Sequence, residues 1–192
     1  MITNEMLKNI SRVHFIGIGG SGMYPLVQIL HTKGYVISGS DNNETETLNA
    51  VRKMGITVFM GQRAENIEGA ELIVYSAAIM ADNPELVAAK TGDIPCFERA
   101  AVFGAITRMY GNCIAVCGTH GKTTSTSMMT HILMEANWDP TVMIGGYLPS
   151  LHAGHRVGHG DTIVMESCEY CNSFLNFCTT DYFSFCKIRI IM

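Results

Sequence analysis

Twice in this chain an apolar, β-type run passes through a glycine turn into helix-forming residues, and that repeated order restricts the fold more than any other feature. The first instance is HFIGIGGSGM (14–23) and the second is CIAVCGTHGKTTSTSMM (113–129). A strand that feeds a helix through a short turn is the building unit of parallel α/β sheets, because the helix then packs back onto the sheet face. The alternation continues elsewhere. VHFIGI (13–18), YVISGS (35–40), ITVF (56–59), ELIVYS (71–76) and IPCF (94–97) read as strands. Between them Met23, Leu26, Val27 and Leu30 recur at helical spacing. TETLNAVRKMG closes on Gly55 as the residue past a helix end. NPELVAAKTG carries Asn83 as cap, Pro84 in the first helical position and Gly92 beyond the last.

The pattern starts afresh near Tyr110-Gly111-Asn112, after a helical stretch, ERAAVFGAITRMY. This predicts two α/β domains: a Rossmann-like parallel-sheet domain over 1–109, then a P-loop α/β domain over 110–192. In the second, TVMIGG (141–146) and TIVMES (162–167) read as strands. PSLHAGHRVGHG between them reads as a flexible loop that exposes His152, His155 and His159. Met128, Met129 and Met134 on the helix after the P-loop read as core filling.

Composition narrows the partners. With 47% hydrophobic and 16% charged residues the chain can bury a core. A net charge of −4 lacks the basic footprint of a nucleic-acid binder, so any phosphate must be held locally. The N-terminus is polar and no apolar run approaches the ~20 residues of a membrane span, which predicts a cytoplasmic protein without membrane insertion. Seven cysteines, some inside strand-like segments (Cys113, Cys117), read as reduced thiols. Cys168-x-x-Cys171 has no second pair at zinc-like spacing, so no thiol metal site is expected.

The two turns differ in what they can hold. Gly17, Gly19 and Gly22 fit G-x-G-x-x-G between a strand and a helix, where glycine lets a phosphate approach the backbone and the helix N-terminus supplies N–H donors. The acidic residue expected about 20 positions on is Asp41. A nucleotide or a dinucleotide fits this turn, and a ligand-free tight turn is the alternative. The second turn departs from G-x-x-x-x-G-K-[ST]: Val116 stands where the first glycine belongs, and the loop is the shorter Gly118-Thr119-His120-Gly121-Lys122-Thr123. Its working parts are backbone N–H groups, the Lys122 ammonium and a Thr123 hydroxyl able to ligate Mg²⁺. His120 sits inside the loop, close to any bound nucleotide. Glu166 and Glu169 follow a strand, and a carboxylate at that edge suits a second Mg²⁺ ligand, with a solvated loop acid as the alternative.

GTHGKTT, with HFIGIGGSGM and SGSD before it, resembles the Mur ligases of bacterial peptidoglycan synthesis, within them the branch that attaches L-alanine. VYSAAI, NPEL, RAAVFGAITR, PTVMIGG and ESCEYCNSFLNF extend the similarity over about Val13 to Phe177. The resemblance implies that Gly17, Gly19, Gly20, Ser21 and Gly22 cradle the UDP part of UDP-N-acetylmuramate, with Asp41 and Ser76 lining the same pocket. It implies that Gly118, Thr119, His120, Gly121, Lys122, Thr123 and Thr124 hold ATP in a central ATPase domain. Lys122 then contacts the transferred phosphate, and Thr123 and Glu169 bind Mg²⁺. The implied reaction phosphorylates the lactyl carboxylate with ATP, and the amine of L-alanine displaces phosphate from the acyl phosphate. Carboxylate and γ-phosphate repel each other, so a lysine and a divalent cation are needed to screen them.

After NSFLNFC the chain reads TTDYFSFCKIRIIM (179–192), unlike the family's continuation into further metal and nucleotide contacts. The expectation is therefore an incomplete central ATPase domain, in a chain that binds UDP-N-acetylmuramate weakly and does not ligate alanine. Three other readings stay open: the sibling ligase that attaches a recycled peptide to the same sugar nucleotide, an NAD-dependent oxidoreductase, and a non-catalytic nucleotide-binding fragment.

Overall fold

A computed structural model describes residues 2–166 and 181–184 of the chain. Two compact units divide between Phe103 and Gly104, inside the helix that precedes Tyr110.

The first unit is a five-stranded parallel sheet. Its strands are β1 (Arg12–Ile16), β2 (Val36–Asp41), β3 (Thr57–Met60), β4 (Leu72–Tyr75) and β5 (Cys96–Glu98), in the order β3-β2-β1-β4-β5. Helices α1 (Asn4–Lys8), α2 (Tyr24–Thr32), α3 (Glu46–Lys53) and α4 (Pro84–Thr91) alternate with them, and α5 (Arg99–Thr107) follows β5. Residues Val13 to Ile16 of the central strand are all buried, as expected where helices cover both sheet faces. Local chemistry sets the helix ends. The Thr45 hydroxyl accepts from Leu48 N at 3.0 Å, and Asn83 Oδ1 accepts from Glu85 N and Leu86 N at 3.0 and 3.2 Å. Each such cap stabilises its helix by about 1 kcal/mol, because the first turn has no intrahelical acceptors. Gly55 ends α3 at φ +80°, where a β-carbon would be strained.

The second unit has the strand order β10-β6-β9-β7-β8. Its strands are β6 (Asn112–Cys117), β7 (Thr141–Leu148), β8 (Ala153–Arg156), β9 (Thr162–Glu166) and β10 (Asp181–Ser184), with α6 (Lys122–Glu135) after β6. All pair in parallel except β7 with β8. One seam is polar: buried Thr141 Oγ1 lies 3.0 Å from the Tyr110 hydroxyl and accepts from Gly158 N at 3.1 Å.

Two expectations are corrected here. The histidine-rich stretch holds a 3-10 turn (Pro149–Leu151) and the antiparallel strand β8, not a loop throughout. It forms because Arg156 pairs with Asp139 and donates to Pro140 O at 2.7 Å, tying the strand to the entry of β7. In consequence His155 is half-buried, and burial holds its imidazole below the ordinary basicity, while His152 and His159 are exposed. On α6 the core is made by Thr126, Thr130 and Leu133, with Met129 packed beside Leu133. Met128 is 61% exposed, because its place on the helix points it away from the sheet. Near the end of the chain, Asp181–Ser184 contributes β10, paired with β6 from Asp181↔Ile114 to Ser184↔Cys117. No helix among the described residues is long and apolar enough to cross a membrane.

Candidate functional site

In the first unit, β2 and β4 flank β1 on opposite sides, so the chain reverses direction across the sheet at β1–β4. In open parallel sheets that point leaves a crevice beyond the strands' carboxyl ends. Gly17 leaves β1 there at φ +81°, and Ser76 leaves β4 beside it, since Ile16 and Tyr75 are paired. The glycine turn is braced from β2. The Ser40 carbonyl accepts from Gly17 N at 2.8 Å and Ile18 N at 3.0 Å. Asp41 Oδ2 accepts from Gly19 N at 2.8 Å, and its Oδ1 accepts from Asn43 N at 3.0 Å. Asp41 is buried, so it acts on the turn from behind. Gly19 has no room for a side chain: a β-carbon would stand 2.9 Å from Asp41 Oδ2 and 3.0 Å from Thr45 Oγ1. Gly20 N is used within the turn, by Gly17 O, while the amides of Ser21 and Gly22 have no partner among the described residues. Two adjacent N–H groups ahead of α2, which no side chain caps, suit a phosphate oxygen.

Sequence reasoning missed Arg99 as a site residue. It directly follows β5, beside β4 in the sheet, and its Nη1 reaches toward Gly22 O at 3.4 Å. A β-carbon at Gly22 would lie 3.0 Å from that nitrogen. Arg99 is exposed, so its guanidinium is available to an anion at the turn. The signal for it was a cation in the first position after a strand's carboxyl end.

In the second unit the loop 118–121 joins β6 to α6. Gly118 (φ +141°) and Gly121 (φ +77°) both take conformations that favour glycine, and Gly121 precedes the first residue of α6. Lys122 and Thr123 therefore belong to the helix's first turn, with no acidic or capping side chain opposing an anion. The amides of Thr119, His120 and Gly121 have no partner among the described residues. Lys122 Nζ reaches back to donate to Gly118 O at 2.5 Å. Thr123, Thr124 and His120 are exposed.

Glu166 ends β9 in register with Val116 on β6, two residues before Gly118. Its Oε1 is buried without a hydrogen-bond partner. Its Oε2 would stand 2.9 Å from a β-carbon at Gly145, and Thr123 Cγ2 would stand 3.4 Å from one at Gly146. The carboxylate and the threonine thus lie against consecutive glycines of β7. An orphaned buried carboxylate oxygen costs roughly 1–3 kcal/mol unless something neutralises it. A carboxylate and a threonine hydroxyl, completed by phosphate and water, are a donor set that fits Mg²⁺. No cluster of three or more His, Cys, Asp or Glu side chains suited to a metal exists among the described residues. Glu169, Cys168 and Cys171 lie outside them.

A Rossmann-type half sheet with its turn at the switch point, joined in one chain to a sheet with a P-loop-like turn, defines an α/β protein with two glycine turns of the kind that suit phosphates. The family profile described as "Mur ligase family, catalytic domain" matches residues 12–110, more than half of the 192. The chain belongs to the Mur ligase family. It is 48% identical over 166 residues to a UDP-N-acetylmuramate–L-alanine ligase from Lachnoclostridium phytofermentans, covering 86% of this chain and 35% of that protein. A protein of the same name from Agathobacter rectalis is 51% identical over 166 residues, covering 86% and 36%. The crystal structure of a UDP-N-acetylmuramate–alanine ligase from Thermotoga maritima superposes with a TM-score of 0.78 at 34% identity, over 90% of this chain and 40% of that one. The chain thus spans little more than a third of the length of these curated relatives.

Proposed function

We propose that this chain carries the sugar-nucleotide site and the ATP site of a cytoplasmic ligase that joins L-alanine to UDP-N-acetylmuramate. The observation that carries the reading is the juxtaposition at the second loop: a glycine-bounded turn, a lysine and threonine in a helix's first turn, and an orphaned carboxylate on the neighbouring strand. The names of the relatives supply the substrate pair.

In this reading the backbone around Gly17, Gly19, Gly20, Ser21 and Gly22 takes the diphosphate of the sugar nucleotide. Asp41 holds the turn in shape, while Ser76 and Arg99 line the same crevice. The amides of Gly118 to Gly121 and of the first residues of α6, Thr124 included, cradle the ATP phosphates, with His120 beside them. Lys122 exchanges the Gly118 carbonyl for the transferred phosphoryl group, neutralising charge as the substrate carboxylate approaches. Thr123 and Glu166 would hold Mg²⁺, with Glu169 as a further ligand. The ion supplies charge neutralisation between nucleotide and carboxylate. The acyl phosphate so formed is open to attack by the amine of L-alanine.

Titration calorimetry of the 192-residue chain tests this, with UDP-N-acetylmuramate and ATP added separately. The expected result is one site for each, with ATP binding tighter in Mg²⁺ than in EDTA. No response to UDP-N-acetylmuramate at millimolar concentration would remove the first assignment, and Mg²⁺-independent ATP binding would remove the metal site. Alanine-dependent phosphate release measures ligation separately from binding.

A further inference from the structure

We infer that Glu85, on α4 and far in sequence from the glycine turn, is a positioning residue for the phosphate-binding amides of the first unit, acting through Ser40. The inference rests on the assignment of that turn to a sugar nucleotide. Glu85 is fully buried, as are Ser40 and His14. Its Oε2 accepts from the Ser40 hydroxyl at 2.6 Å, and its Oε1 accepts from Asn66 Nδ2 at 2.6 Å. His14 is the ionisable group facing it: Nε2 lies 3.7 Å from Oε2, an electrostatic contact beyond hydrogen-bond range. Across the ring, His14 Nδ1 meets Ser38 Oγ at 2.9 Å.

The cluster ends at the turn. Ser40 is gripped by Glu85 through its side chain, while its carbonyl receives the amides of Gly17 and Ile18. The next residue, Asp41, receives Gly19 N. Three consecutive amides are therefore anchored on two β2 residues, and one of these is locked from α4 by a buried anion. That leaves the Ser21 and Gly22 amides, ahead of α2, without a partner among the described residues. Burial pushes the Glu85 carboxyl up, but His14, Ser40 and Asn66 together outweigh this and hold it below its ordinary value, so it is an anion at neutral pH. A buried carboxylate is a poor stability device, because well-packed apolar residues do as well. What a fully partnered polar cluster does supply is a single geometry, here at the residue the turn hangs from.

The test uses Ser40→Ala and Glu85→Gln in the 192-residue chain, each checked for a cooperative melt. Amide exchange at Gly17 and Ile18 is followed by nuclear magnetic resonance. Ser40→Ala keeps the test alive if the substitution at Glu85 does not fold. The expected result is faster exchange at Gly17 and Ile18 and a roughly tenfold loss of UDP-N-acetylmuramate affinity, the worth of one charge-assisted hydrogen bond. ATP affinity at the second loop should be unchanged, and the double variant should be no weaker than the poorer single one. A folded variant that binds the sugar nucleotide as wild type does would overturn the inference and leave the site assignment standing. Equal losses at both nucleotide sites would also overturn it, as general destabilisation. Wild-type protein that fails to bind the sugar nucleotide would remove the site assignment and the inference with it.

Discussion

Replacing Gly145 by alanine separates the proposed metal site from the fold. Gly145 is exposed and does not adopt a left-handed backbone, so alanine is tolerated conformationally. Its new β-carbon would lie 2.9 Å from Glu166 Oε2, 3.5 Å from Cδ and 3.9 Å from Oε1. Reaching an ordinary contact requires the carboxylate to retreat by about half an ångström, and the end of a flexible side chain can do so for about 0.5–1.5 kcal/mol of torsional strain. Mg²⁺ demands near-ideal octahedral geometry, so the same retreat forfeits an ionic contact of about 1.5–3 kcal/mol. The expected outcome is a fall of roughly ten- to a hundredfold in ATP affinity measured in Mg²⁺. Affinity in EDTA should hold, and the melting temperature should move by no more than a few degrees. Calorimetric titration in both buffers, with a thermal scan, makes the measurement. Full Mg²⁺–ATP affinity in the variant would refute the placement of Glu166 at the metal, and loss of binding in both buffers would refute the local account.

Gly39→Ala in β2 should behave oppositely. Its β-carbon would meet Ile18 Cδ1 at 2.6 Å and the Phe15 carbonyl at 2.7 Å, a backbone atom that has nowhere to go. A loss of about 1–3 kcal/mol in urea unfolding is expected, and wild-type stability would count against the packing argument. Asn83→Ala removes the acceptor of two α4 amides and strands Gln62, to which Asn83 Nδ2 donates at 2.5 Å. It should cost about 1–2 kcal/mol, most of it recovered by Asn83→Ser. Glu71 accepts from Ser11 N and Arg12 N at 2.6 and 3.0 Å, and these bonds hold its carboxyl below the ordinary 4.5. A depressed carboxyl contributes stability above its unfolded value and loses it as pH falls through the folded one. Glu71→Gln should therefore destabilise most at neutral pH, and a deficit that persists unchanged well below pH 4.5 would contradict the assignment.

Much of this molecule is set by interactions within a few residues, and those parts were legible in the sequence. The glycine turns, the cap at Asn83, the end of α3 at Gly55 and the placing of Lys122 and Thr123 at a strand–helix junction follow from backbone conformation and hydrogen-bond chemistry at short range. Residue type also distinguished the two glycine turns, because only the second carries a lysine and a threonine directly after it. Strand order decided the rest. Arg99 reaches Gly22 because β4 places β5 beside the β1 crevice, and Glu166 faces the P-loop because β9 inserts beside β6. His14, Ser40 and Glu85 meet only when β1, β2 and α4 close on one another. The strand hidden among histidines depends on Arg156 finding Asp139. Local propensity determines which elements form and which turns can face a phosphate. Which distant side chains share a crevice is a property of sheet topology, and no window of the sequence contains it.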